Sequence, residues 1–172
     1  GGRRINKKKI PAHAAESRLN LHWHPYHQML KRLLAQNRTI FGQTVLLDCH
    51  SMPHEALSGM VRQGGNRPDV VLGDRFGASA ARIVTDAVED AFTKRGLRVA
   101  RNAPFAGGYI TQTYGKPSRG HHAVQIEIDR RLYMNESTVE KSSEFEAFQQ
   151  VIALAIADLA RIDPQEWALA AE

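Results

Sequence analysis

The chain has 172 residues, 42% of them hydrophobic and 24% charged, a composition typical of a folded domain that has its own apolar core. Its net charge of +5 owes much to a run of arginines and lysines in the first nine residues. The single cysteine excludes an intrachain disulfide and a cysteine-based zinc knuckle, and no stretch approaches the roughly 20 apolar residues of a membrane-spanning helix.

The basic run predicts a flexible lead-in at residues 1–9, followed by a single domain at residues 10–172. No aromatic residue interleaves with the cations, so we do not expect nucleic-acid binding. Such binding would depend on salt and would disappear when residues 1–9 are removed. The chain opens with Gly1-Gly2 and not with Met, and its first strand signal follows a long helix. We therefore expect it to be part of a longer polypeptide.

The first predicted element is a helix of about 25 residues that begins near Ile10, because apolar residues recur there at helical spacing. Pro25 lies inside the pattern and predicts a kink or two abutting helices. His22, His24 and His27 fall in the same stretch. His24 and His27 could share a helix face and bind a metal together, or they could be histidines of the helix surface or the core edge.

The stretch TVLLDCHSMPHE, residues 44–55, predicts a short buried strand that ends in polar side chains. Pro53 prevents the strand from continuing. Ligands of open α/β sheets bind just beyond the carboxyl ends of the strands, so Asp48 and His50 are candidate site residues. The alternative is that these two side chains satisfy each other or the loop backbone.

Another strand is predicted at Ala123 to Asp129, where apolar and polar residues alternate. Gln125, Glu127 and Asp129 share one face of this strand. A carboxylate within a strand costs solvation energy unless it faces a wet cavity or a charge. The pattern therefore fits either a site or an edge strand with one solvated face.

The remaining predicted elements are two short strands, two helices, a long loop and an irregular turn. Ser79 is expected to cap the helix predicted at residues 79–95, and Gly96 is expected to end it. The elements are a loop at residues 51–68, strands at 69–73 and 97–101, a helix at 79–95, a turn at Gly107-Gly108, and a closing helix at 144–162 followed by a tail containing Trp167. Strands that alternate with helices favour an α/β sandwich. No GxGxxG, P-loop or GxSxG motif supports nucleotide binding or serine hydrolase chemistry.

Four co-linear segments, LLDCHSMP, DVVLGDRFG, PFAGGYITQTYG and HHAVQIEIDRRLYMNE, closely resemble the N-formylglutamate amidohydrolase family. HWHPYHQML also resembles that family's helix before the first strand, with His24 where an arginine is usual. The resemblance implies a fold similar to zinc carboxypeptidases: a three-layer α/β/α sandwich with a mixed, mostly parallel sheet, incomplete in this chain. It also implies hydrolysis of N-formyl-L-glutamate to formate and L-glutamate, a step of histidine degradation.

The resemblance implies that His50 is one ligand of a single Zn²⁺ and that Glu127 is the general base and acid. Further residues are candidates for supporting roles: Arg75, Arg119 and Arg130 for substrate carboxylates, Tyr109 and Thr111 for the pocket, and Asp48 and His122 as partners of the metal ligand. The other metal ligands of the family are expected in a segment that would precede Gly1. Because a catalytic zinc site takes three protein ligands, the residues present would not complete it.

Two other functions stay open. One is deacylation of a different N-acyl amino acid, and the other is a non-catalytic module of the same fold that binds a small anion or a partner. Metal content separates an enzyme from a module. The expected partner is a small anionic substrate and not a membrane, and a cytoplasmic location rests on the single cysteine and on the resemblance. The sequence does not determine the oligomeric state.

Overall fold

The computed structural model describes residues 8–60 and 67–161, which form a mixed four-stranded sheet between helices. Its strands are β1 (Thr44–Met52), β2 (Val70–Gly73), β3 (Val99–Arg101) and β4 (His121–Asp129). They are ordered β1-β4-β2-β3; β1 pairs in parallel with β4, β2 in parallel with β3, and β4 antiparallel with β2. The expectation of a mixed, mostly parallel α/β sheet is confirmed.

The helices are distributed before, between and after the strands. They are α1 (Ala12–Arg18), a π-helical turn (Leu19–Trp23), α2 (His24–Phe41), α3 (Arg82–Thr93), α4 (Tyr109–Tyr114) and α5 (Phe145–Ala160). Short 3₁₀ helices span His54–Met60, Pro117–Arg119 and Arg130–Leu132, and the two-residue strands β5 (Met134–Asn135) and β6 (Glu140–Lys141) pair as a small hairpin. No helix in the described part of the chain is long and apolar enough to span a bilayer.

The first helical stretch changes its winding just before Pro25, where the sequence predicts an interruption. Proline has no backbone N–H to donate and its ring crowds the preceding turn. The π-helical turn that ends at Trp23 is a usual way to accommodate such a break without ending the helix. At the other end, Gly42 adopts a left-handed φ of 76° and its N–H bonds to the Arg38 carbonyl, which terminates α2.

The main apolar core lies between the sheet and helices α3 and α5. Alternation along β2 and β4 directs one set of side chains to this face. The fully buried members are Val70, Leu72, Ala80, Val84, Val88, Ala91, Phe92, Val124, Ile126 and Ala155. A smaller cluster of Met52, Leu57 and Val71, with Phe105 against it, lies on the opposite face, to which α4 also packs. The chain is thus layered on both faces of the sheet.

Several predicted boundaries are wrong. Helix α3 begins at Arg82 and not at Ser79, because the Ser79 hydroxyl donates to the Ala123 carbonyl at 2.8 Å instead of capping the helix. The predicted loop contains the 3₁₀ helix His54–Met60, and the irregular turn after Gly108 continues into α4. The predictions for residues 1–7, for Ile162 and for the tail around Trp167 lie outside the described residues.

Candidate active site

The pairing of β1 with β4 brings the two principal predicted site residues together. In the parallel register, His50 is opposite Glu127 and Asp48 is opposite Gln125. Paired residues of parallel strands point to the same face, so all four side chains stand side by side. We call Asp48, His50, Gln125 and Glu127 the polar quartet. It occupies the sheet face opposite the α3 and α5 core.

His50 is held by Asp48 at the exposed edge of the sheet. Its Nε2 atom lies 3.0 Å from Asp48 Oδ1, while 48% of its side chain is exposed. A carboxylate that holds one ring nitrogen fixes the imidazole and leaves the other nitrogen free, an arrangement common for metal-ligating histidines. A concavity of about 380 Å³ lies beside His50 on the α5 side of the sheet, lined by Tyr133, Phe145 and Phe148 among others, and it includes none of the other three quartet residues.

Glu127 is a buried carboxyl, only 8% exposed. Burial raises its pKa above the ordinary value for glutamate, and the Asp48 charge acts in the same direction, while His50 and Arg130 oppose the shift. Gln125 Nε2 donates to Glu127 Oε1 at 3.3 Å. A raised carboxyl pKa favours proton transfer in both directions near neutral pH, as a general base that later acts as an acid requires.

Two of the predicted arginines lie on the side of the quartet. Arg130 follows β4 and donates from Nε and Nη2 to the Ser51 hydroxyl and carbonyl, each at 3.2 Å, so it bridges the carboxyl ends of β4 and β1. Arg75 follows β2, and its side-chain stem passes against Gly107. Arginine binds carboxylates through two parallel N–H bonds, so both are suitable partners for an anionic substrate.

A sequence model of the N-formylglutamate amidohydrolase family matches residues 1–134. The chain belongs to the N-formylglutamate amidohydrolase family. It is 35% identical over 120 residues to the N-formylglutamate deformylase of Pseudomonas putida and 34% identical over 119 residues to that of Pseudomonas aeruginosa. The chain spans 42% of the length of each of these relatives.

One solved structure agrees with this family assignment, and a second shows the same fold. The crystal structure of N-formylglutamate amidohydrolase from Ralstonia eutropha JMP134 matches 91% of the chain and 55% of that protein, with a TM-score of 0.80 and 32% identity. A gene product of Agrobacterium tumefaciens, 18% identical with a TM-score of 0.54, shares the fold over 88% of the chain.

The two pocket residues predicted in this amidohydrolase-family chain differ in their surroundings. Tyr109 starts α4 and is about half exposed, with its ring 4.9 Å from Trp23 and 5.3 Å from His27, centroid to centroid. Thr111 is fully buried, and its hydroxyl accepts from the Gly108 N–H and donates to the Gly108 carbonyl. Thr111 therefore caps α4, and the prediction that it contacts substrate is not supported by its position.

Arg119 and His122 lie apart from the quartet, contrary to the prediction. Arg119 precedes β4, whose length from His121 to Glu127 is about 20 Å at roughly 3.3 Å per residue. His122 lies five residues before Glu127 on β4. Because side chains alternate along a strand, an odd separation places His122 on the other side of the sheet. Its Nδ1 accepts the N–H of Ala81 at the start of α3, and burial lowers its pKa, with the neighbouring His121 acting in the same direction. His122 thus has a structural role.

His54 was missed in the sequence, although it lies four residues after His50. Its Nδ1 is 2.8 Å from the fully buried Asp129, and its Nε2 is 2.6 Å from Arg67 Nη1. Because the guanidinium can only donate, Nε2 accepts and Nδ1 carries the proton that bonds to Asp129. Both ring nitrogens are therefore occupied. The CHSMPHE pattern contains a second histidine, which is the signal that could have identified it.

The histidines of the first helix do not form a metal pair. His27 is buried, and its Nδ1 lies 2.6 Å from the Tyr114 hydroxyl, whereas His22 and His24 are exposed. Within residues 8–60 and 67–161, no three His, Cys, Asp or Glu side chains are close enough to hold a metal ion. His50, with Asp48 behind it, fits the role of one ligand, and the described part of the chain does not supply the three of a catalytic zinc site.

Proposed function

We propose that the protein containing this chain hydrolyses N-formyl-L-glutamate to formate and L-glutamate. The observation that carries the proposal is the pairing of His50 with the buried, pKa-raised Glu127 in a chain of this family. The names of the relatives support the substrate. The proposal includes a place in histidine degradation and a cytoplasmic location, for which the free Cys49 and the family resemblance are the support.

Glu127 is the residue that moves the proton. Its carboxylate takes a proton from the water that attacks the formyl carbon, which makes the water a stronger nucleophile. When the C–N bond breaks, the protonated Glu127 returns that proton to the departing amine. Water is consumed, formate and L-glutamate leave, and the carboxylate is regenerated.

His50 is proposed as one ligand of a zinc ion, positioned by Asp48. A bound zinc ion would polarise the formyl carbonyl and lower the pKa of bound water. The remaining ligands would come from outside the described residues. Arg75 and Arg130 are proposed to bind the carboxylates of the substrate, because both lie on the quartet side of the sheet.

The test is formate release and zinc content for the complete protein and three variants. Glu127→Gln should keep the metal and lower kcat by about 10²–10⁴-fold, because it removes the proton-transfer group. His50→Ala should lose the metal. Glu55→Gln, an exposed carboxyl on the His54–Met60 helix, is the matched control and should behave as wild type.

A complete protein without metal and without formate release would contradict the proposal. Release of a different carboxylic acid, with no activity on the formyl substrate, would favour deacylation of another N-acyl amino acid instead.

A further inference from the structure

The turn that follows β2 has an unusual backbone. Arg75 and Phe76 adopt left-handed φ angles of 55° and 56°, and Gly77 follows with 85°. Only glycine enters this region without steric cost, so two successive non-glycine residues are strained. Phe76 is 80% exposed, so its own packing does not hold the turn. Such strain persists where surrounding contacts impose it, and it clusters at functional positions.

One side chain, that of Asn102, supplies much of that constraint. Its Oδ1 accepts the N–H groups of Asp74 at 3.1 Å and Phe76 at 3.2 Å, and its Nδ2 donates to Asp74 Oδ1 at 2.8 Å. Asn102 is itself left-handed, with φ 57°, a conformation that asparagine tolerates better than most residues. Two backbone N–H groups of the turn are therefore oriented by a residue at the end of β3.

Asp74 links the turn at residues 75–77 to helix α3. It is buried, its Oδ1 also accepts the Gly77 N–H at 3.1 Å, and its Oδ2 accepts the hydroxyl of Thr85 in α3 at 2.9 Å. The Arg75 N–H donates to the Ala106 carbonyl at 2.8 Å. The turn is thus fixed to the core helix on one side and to the Gly107-Gly108 segment on the other.

Arg75 belongs to this turn, and its side-chain stem lies beside Gly107 on the quartet side of the sheet. A Cβ placed on Gly107 would come within 3.2 Å of Arg75 Cγ, and one on Gly108 within 3.8 Å of Gln125 Nε2. Gln125 in turn bonds to Glu127. Among residues 8–60 and 67–161, the Arg75 guanidinium has no carboxylate or hydrogen-bond partner, although the residue is half buried. A half-buried guanidinium without a partner among the described residues, on the quartet side of the sheet, is suited to an anionic ligand.

We propose that Asn102 is a positioning residue, which holds the left-handed turn at residues 75–77 so that the Arg75 guanidinium binds a substrate carboxylate over the Gly107-Gly108 segment. The identity of the substrate rests on the proposed function. Asn102 does not contact the substrate; it acts through Arg75.

The test is Asn102→Gly, because glycine adopts φ 57° freely and the change removes only the side-chain bonds. KM for N-formyl-L-glutamate should rise about tenfold while kcat stays within about twofold, since binding is weakened and the chemistry at Glu127 is untouched. Asn135→Gly is the matched control, because Asn135 bonds to Ser137 in the β5–β6 turn. Its KM should not change.

A second readout does not require turnover. Glutarate, a dicarboxylate without a formyl group, is titrated into the protein by calorimetry. Its affinity should fall with Asn102→Gly, fall further with Arg75→Gln and stay unchanged with Asn135→Gly. If Asn102→Gly does not fold, Thr85→Val removes one bond to Asp74 and should weaken glutarate binding in the same direction.

The outcomes separate the two proposals. A wild-type protein that releases no formate but shows this glutarate pattern overturns the proposed function and supports the role of Asn102. A protein that releases formate, and in which Asn102→Gly leaves both KM and glutarate affinity at wild-type values, overturns the role of Asn102 alone. A fall in kcat without a change in KM also overturns it.

Discussion

The two faces of the sheet are built from alternate residues of the same strands, yet they bury different chemistry. On β4, Val124 and Ile126 face α3 and α5, whereas Gln125 and Glu127 face the other side of the sheet. All four are buried. Burial of apolar surface stabilises the fold by about 25 cal/mol per Å². Burial of a carboxyl opposes ionisation, which is visible in the raised pKa of Glu127.

This difference teaches that burial alone does not identify a site. The two faces differ in the solvation cost of their buried side chains. Burying Val124 and Ile126 costs none, whereas burying Glu127 removes a carboxyl from water. The apolar face carries the stability that allows the other face to keep a buried acid next to His50. Substitutions on the two faces should therefore have separable effects on unfolding and on turnover.

Phe92→Ala on the apolar face should have the largest effect on stability. The ring is almost fully buried in α3 against the main core, and its removal should lower the free energy of unfolding by about 3–5 kcal/mol. Equilibrium unfolding in urea measures this loss. Leu154→Ala in α5, where the side chain is exposed, should stay within about 0.5 kcal/mol of wild type. A loss below about 1 kcal/mol for Phe92→Ala would contradict the assignment of the core to this face.

His122→Ala tests whether the two faces of β4 have separate roles, because His122 and Glu127 lie on opposite faces of that strand. The change removes the acceptor for the Ala81 N–H at the start of α3 and should cost about 1 kcal/mol of stability, as loss of a helix cap does. The kcat for formate release should not change. A matched change at the half-buried His121 should cost less. A large loss of turnover in His122→Ala with the fold intact would show that His122 contributes to the active site.

The smallest expected effect is a shift in the pH dependence of kcat/KM, which tests the bond between Gln125 and Glu127 on the polar face. The general base must be ionised, so the acid limb of kcat/KM should follow the Glu127 pKa and lie above the ordinary range for glutamate. Gln125→Leu removes the N–H that Gln125 donates to the carboxylate, so the Glu127 pKa should rise further and the limb should move to higher pH. Gln28→Leu on the exposed side of α2 is the control. A shift to lower pH would show that Gln125 does not stabilise the ionised form.

The free energy of unfolding should also depend on pH, and Glu127 and Asp69 should contribute in opposite directions. Because the folded-state pKa of Glu127 is raised, its contribution to stability is present below the unfolded pKa and is lost as the pH rises through the folded pKa. Asp69 should act in the opposite sense. Burial opposes its ionisation, but hydrogen bonds from Arg98 and the Arg98 and Arg131 charges lower its pKa overall, so its contribution is lost as the pH falls.

Local patterns predicted much of the fold. The alternation along Ala123 to Asp129 placed Gln125, Glu127 and Asp129 on one face, and the structure confirms it. The predicted break near Pro25 coincides with the π-helical turn. The boundaries of α3 were less accurate, because the Ser79 hydroxyl is engaged by β4, a strand distant in sequence. Capping residues are recognised from neighbours, and a tertiary competitor for the same hydroxyl is invisible to that reasoning.

The sequence by itself determined the residue types of the site, the strand ends that carry them and the family. The tertiary structure alone decided which of them meet: His50 stands beside Glu127 because β1 pairs with β4, whereas Arg119 is left at the far end of β4 and His122 on its other face. It also decided that Asn102 holds the turn of Arg75. The physical reason is that propensity and alternation act between near neighbours, while strand pairing and side-chain networks join segments far apart in the chain.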